Sequence, residues 1–127
     1  MASYDNVRTI SAVADVDLSS LAYHFAKFGA NGKAGDASDI TEGDAVDGII
    51  GEAVEADDVF PLIVPDGCIA MVMVGAAVAQ GANVMTNAAG RAITATATNT
   101  IMGVALDAGA ANGDIIRIQF HNKGLAT

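Results

Sequence analysis

GVALDAGAANGDIIRIQF, Gly103 to Phe120, decides how this chain reads. A glycine-broken apolar run leads into a loop of small residues, an Asn-Gly-Asp turn and an alternating segment. In that segment Ile116, Ile118 and Phe120 share one face, while Ile115, Arg117 and Gln119 take the other. A period of two is the signature of a strand with one face buried. The stretch holds Arg117 and two aspartates but no His, Cys or Ser, so it brings geometry rather than a nucleophile or a metal ligand set.

The same pattern occurs earlier. IIGEAVEADDVFPLIV, Ile49 to Val64, aligns with IMGVALDAGAANGDIIRIQF, Ile101 to Phe120, once the second is given four extra loop residues. Ile49 then matches Ile101, Gly51 matches Gly103, Ala53 matches Ala105 and Asp58 matches Asp114. Phe60, Leu62 and Val64 fall on Ile116, Ile118 and Phe120, which preserves the inward face. Upstream, ITEGDAV echoes VAQGANV and pairs Gly43 with Gly81. The half-exposed strand RAITATAT follows NAAG, Asn87 to Gly90, a hairpin loop that enlarges the second copy. Together these predict an all-β chain: a small antiparallel barrel or sandwich of two strand–turn–strand units with pseudo-twofold character, and at most one short helix. One stretch stays open. Across residues 18–28, Leu18, Leu21, Ala22, Phe25 and Phe28 fit a helical stripe, whereas Leu21, Tyr23 and Phe25 also alternate as in a strand.

At 127 residues the chain fits one domain. Its hydrophobic content is 52%, but only 5% is aromatic and alanine fills 26 positions, so the core is thin and gains from burial against partners. The net charge of −9 is uneven. Residues 1–67 carry thirteen acids and three bases, and residues 68–127 carry two acids and three bases. Such an acidic chain is repelled by phosphate, which argues against nucleic acid as a direct partner. The apolar stretch at Cys68 to Ala79 is too short for a membrane span. The start has neither the basic nor the apolar region of a signal peptide.

No motif for chemistry emerges. In the acidic window Asp36 to Asp47 the calcium-loop positions hold Ser38, Ile40 and Thr41, and a looser site from Asp36, Asp39 and Asp44 ranks below a solvated loop. GANGKAG, Gly29 to Gly35, lacks the ending of a phosphate loop and reads as a turn between strands. Cys68 reads as a buried structural thiol, His24 as a core or rim residue and His121 as a tail residue. A carrier-domain reading would need a lysine at the hairpin tip, where Arg91 stands. The expectation is therefore no enzyme, no cofactor, no metal and no small-molecule substrate.

The ordered run VAQGANVMTNAAGRAITATATNTIMGVALDAGAANGDIIRIQF resembles the C-terminal half of the capsid decoration, or cement, proteins of tailed bacteriophages. DLSSLAYHFAKFGANGKA resembles the early segment of that family, where it would be a strand, and GIIGEAVEADDVFPLIV resembles the middle. The resemblance implies a structural protein on the outer surface of the virion capsid, made in the host cytoplasm. Its partner would be the major capsid protein, and it would associate as a homo-oligomer, as a trimer in much of that family. The alternative is a β-sandwich interaction module of the carbohydrate- or calcium-binding adhesin kind. The reading divides the chain into an N-terminal arm, 1–15, and a β-rich decoration domain, 16–127. Tyr4, Val7, Arg8 and Ile10 are the expected capsid or neighbour contacts of the arm. Val74, Ala76, Ala77 and Val78 are the candidate oligomer contact, with burial in the core as the alternative.

Overall fold

The computed structural model describes residues 8–126. Its strands are β1 (Thr9–Val13), β2 (Phe25–Ala26), β3 (Gly48–Ile50), β4 (Val59–Ile63), β5 (Asp66–Met73), β6 (Asn83–Thr86), β7 (Ala92–Thr94), β8 (Thr100–Ala105) and β9 (Ile115–Leu125). The only helical element among the described residues is a 3-10 turn at Ala37–Asp39, capped by the Asp36 carboxylate on the Ser38 N–H. The strands form two antiparallel sheets, ordered β1-β4-β3-β2 and β5-β9-β8-β6-β7. Setting β7 aside, both sheets run first, fourth, third, second strand of their own unit. The chain is thus two copies of one topology, as the internal echo predicts.

Backbone hydrogen bonds establish the equivalence residue by residue. In the first unit the Ala14 N–H donates to the Asp58 carbonyl and the Asp57 N–H donates back to Ala14; in the second, Val74 and Asp114 with Gly113 repeat the exchange, every bond at 2.8–2.9 Å. Gly29 and Lys33 close a hairpin with the same bonds as Asn87 and Arg91. Tyr23 N–H to Ile50 carbonyl is repeated by Gly81 to Ala105, with φ of 67° at Tyr23 and 86° at Gly81. In each unit a single parallel bridge, Ala14 to Ala34 or Val74 to Ala92, ties the end of the first strand to the segment beyond the second. The bridge draws the sheet edges together at one end, so each sheet curls around its own filling without closing into a full barrel.

These bonds move four details of the expected alignment. The pairs Ile50–Leu62 and Ala105–Ile118 occupy equivalent registers, so Gly103 matches Gly48 and not Gly51. The equivalents of Asp58, Phe60 and Leu62 are Asp114, Ile116 and Ile118 as expected, and the loop between the third and fourth strands differs by one residue instead of four. Gly81 corresponds to Tyr23, not Gly43, and the Asn87 hairpin is no insertion because Gly29–Lys33 is its counterpart. Residues 18–28 contain no helix: turns lead into the short β2. Their aromatic and aliphatic side chains serve different places, Leu18 in the first unit's core, Phe25 in the second's, and Phe28 outside.

The first unit's core is Ala12, Ala14, Leu18, Ala26, Ala34, Ile50, Phe60 and Leu62. Their equivalents, Val72, Val74, Val78, Val84, Ala92, Ala105, Ile116 and Ile118, all lie in the second core. Large and small residues trade places between the copies: Ala12 faces Phe60 where Val72 faces Ile116. Cores tolerate such exchanges when total volume is kept. The second cluster also takes in Phe25, Val46 and Ile49 from the first unit, with Phe25 tilted against Phe120 at 5.9 Å between ring centroids. The joint between units is therefore apolar, and it is framed by Met73 N–H to Tyr23 carbonyl and Phe25 N–H to Gly90 carbonyl.

Candidate functional surface

The described residues enclose no pocket. What distinguishes one region from another is the chemistry of equivalent loops. In the second unit the loops at 75–80, 87–91 and 107–113 meet at one end. Val78 and Gly109 exchange both backbone bonds, Gly75 donates to Ala92, and Arg91 Nη1 donates to Asn112 Oδ1 at 2.6 Å. Each loop is held from within. Asn87 Oδ1 accepts from the N–H groups of Ala89 and Arg91, and Asp114 Oδ2 accepts from those of Ala110 and Ala111. Asp107 receives the Arg117 guanidinium through both carboxylate oxygens and the Arg117 backbone N–H through one of them. The Arg117 contacts hold the Asp107 carboxyl down at about 2. Side chains that reach solvent at this end are chiefly alanines: Ala76, Ala77, Ala79, Ala88, Ala89, Ala110 and Ala111.

The equivalent loops of the first unit are acidic. Asp15 and Asp17 stand where the second unit has Gly75 and Ala77, and Glu52, Glu55 and Asp57 line the turn equivalent to 107–113. Lys33, the counterpart of Arg91, makes an exposed ion pair with Asp57 at 2.8 Å, which lifts the lysine above its usual range. Asp15, Asp36 and Asp39 bring carboxylate oxygens within 4.8 Å of one another. Asp44, the third member of the looser calcium set considered from the sequence, is instead paired with Lys27 at 3.0 Å and accepts from the Thr41 N–H. Those interactions, the backbone bond first, hold the Asp44 carboxyl below its usual value.

The sequence-derived contact residues separate. Tyr4 and Val7 lie outside the described residues. Arg8 is exposed and pairs with Asp66 at 3.3 Å, and Ile10 is 43% exposed opposite Leu62. Residues 9–13, assigned to an arm from the sequence, form β1 on the edge of the first sheet, because Ala12 packs beside Phe60. Of the candidate oligomer contact, Val74 and Val78 are corrected: they are core residues, 0% and 3% exposed, equivalent to Ala14 and Leu18. Ala76 and Ala77 do face solvent. Cys68 is half-buried rather than enclosed; burial raises its thiol, which donates to the Val64 carbonyl. His24 is buried as expected, but its bond to Arg91, 67 positions away, has no local sequence signal.

Residues 31–120 match the sequence model of the phage cement protein family. That span takes in most of both units. The chain belongs to the phage cement protein family. Among solved structures, the head fiber gp8.5 N base of bacteriophage phi29 has the same fold, with a TM-score of 0.70 at 19% identity over 95% of this chain and 99% of that one. No curated protein matches the cement protein chain in sequence. Membership of a cement family assigns a structural, capsid-associated role.

Proposed function

We propose that this cement protein binds the outer surface of the expanded phage head, and that it does so through the alanine-lined end of its second unit. Bound there across neighbouring major capsid subunits, it adds contact energy that is lost if the subunits separate under the pressure of packaged DNA. The observation that carries the reading is the family match over residues 31–120 joined to the contrast between equivalent loops. A surface of alanine, asparagine and glycine loses little side-chain entropy on docking and holds few charges to desolvate. The acid-bearing loops of the first unit suit a face left in water. A contact of standard size would bury about 1,600 Å² in total, and a homo-oligomer, a trimer in this proposal, would multiply weak contacts by avidity. Ala76 and Ala77 belong to the docking end, while Arg8, just before β1, and Ile10 on it are offered as a contact with a neighbouring copy.

The test is co-sedimentation of the purified protein with expanded heads and with unexpanded shells, at low and high salt. Saturable binding to expanded heads that changes little with salt is the expected result, because the docking end carries little net charge. Binding that collapses as salt rises would place the contact on the acidic loops, and no binding to either shell would overturn the reading.

A further inference from the structure

His24 is buried at the joint between the two units, 3% exposed, and both ring nitrogens are engaged. Nδ1 lies 3.0 Å from the Ala22 carbonyl, and Nε2 lies 3.2 Å from Arg91 Nε. A guanidinium only donates, so Nε2 must be the acceptor and the ring proton must sit on Nδ1. The imidazole is therefore neutral and in one tautomer. Arg91 belongs to the second unit, and its Nη1 donates in the opposite direction to Asn112 Oδ1. The two neighbouring backbone bonds across the joint, Phe25 to Gly90 and Met73 to Tyr23, flank this side-chain chain.

We propose that His24, Arg91 and Asn112 form an acid-sensitive latch between the two units, closed while the imidazole is neutral and opened by its protonation. Protonation turns Nε2 from acceptor to donor, which deletes the Arg91 bond and sets two cations side by side in a buried place. Of the charged groups on the elements packed against the ring, Arg91 is the one that acts on it; Asn112, the guanidinium's other partner, is neutral. Burial first, then Arg91, depresses the imidazole below its usual 6.5, while the Ala22 and Leu21 backbone bonds oppose them. The sign follows: the folded form resists protonation, so the latch contributes its full stability above about 6.5 and loses it as pH falls through the lower, folded value. Arg91 also ends the 87–91 hairpin, which its backbone and the Asn87 carboxamide close independently of the guanidinium. The latch itself stands whether or not the alanine-lined end is the docking face.

NMR of the imidazole nitrogens in the full chain, in a His121→Gln background so that one ring is observed, tests this directly. The expected record is a protonated Nδ1 and bare Nε2 at neutral pH and a midpoint below 6.5, with the Phe25 and Met73 amide signals moving at the same midpoint. Arg91→Gln raises that midpoint by removing the neighbouring positive charge. Asn112→Ala, at an exposed position that leaves the fold intact, raises it in the same direction by freeing the guanidinium. A proton on Nε2, a midpoint at or above 6.5, or a midpoint unmoved by both variants overturns the latch.

Discussion

The equivalence of Gly48 and Gly103 makes a sharp prediction about stability. Each sits on the third strand of its unit, facing the fourth, at a point where the strands come close. A Cβ built on Gly48 would lie 2.5 Å from the Ile63 carbonyl oxygen, and one built on Gly103 would strike the equivalent carbonyl of Gln119. These obstacles are backbone, so alanine at either site must push two hydrogen-bonded strands apart. Overpacking of this kind costs about 1–3 kcal/mol, offset by the ~0.4–1 kcal/mol that alanine gains over glycine in the unfolded chain. The net cost is roughly 1–2 kcal/mol, or a loss of about 3–10 °C in Tm for a domain of this size. Gly51 is the control: its added Cβ meets only the end of the Ile63 side chain at 3.3 Å, which can turn aside. Calorimetric melts of Gly48→Ala, Gly51→Ala and Gly103→Ala should therefore show two matched losses and one change near zero. Gly103→Ala melting at or above the unmodified chain, or Gly51→Ala losing as much as Gly48→Ala, would refute the register and with it the duplication.

Three further outcomes are expected. Thr98 holds φ at 69°, a costly conformation for a β-branched residue, so Thr98→Gly should raise stability by about 1 kcal/mol in a urea melt. Phe120→Ala removes the ring that meets Phe25 across the joint and should cost about 3–5 kcal/mol, read as a fall in the denaturation midpoint. The Asp107 carboxyl, held at about 2 by Arg117, should contribute stability above its unfolded value of 3.8 and lose it as pH falls toward 2. NMR titration of Asp107→Asn against the unmodified chain should show that one acidic step disappear.

The parts of this fold visible in the sequence are those fixed by local pattern. Alternation at Ile116, Ile118 and Phe120 marked a strand, and the Asn87–Gly90 hairpin was legible because Asn87 and Gly90 stand where its turn needs them. The echo itself was legible because equivalent core positions kept their character. The register was not, since Gly48 and Gly51 look alike in sequence and only the facing carbonyl of Ile63 separates them. Residues 18–28 stayed open between helix and strand because their apolar residues are shared between two cores, which imitates a helical stripe. Val74 and Val78 sit among glycine and alanines, where an oligomer contact and core burial both fit the local pattern; only the fold shows that they repeat Ala14 and Leu18 of the first core. The alanine-lined end was in view only as scattered composition. It became a surface when the fold gathered three loops that lie far apart along the chain.

The most direct test of the account is a charge exchange between the equivalent loop ends, read by binding to expanded heads. One variant carries Ala77→Asp and Ala111→Asp; the other carries Glu52→Gln and Glu55→Gln. All four sites are exposed, so both variants should fold and melt like the parent chain. If the second unit's end is the docking face, the first variant loses attachment through desolvated, unpaired carboxylates at the contact, and the second attaches as before. Full attachment of the alanine-to-aspartate variant, with loss in the glutamate-to-glutamine variant, would contradict the account.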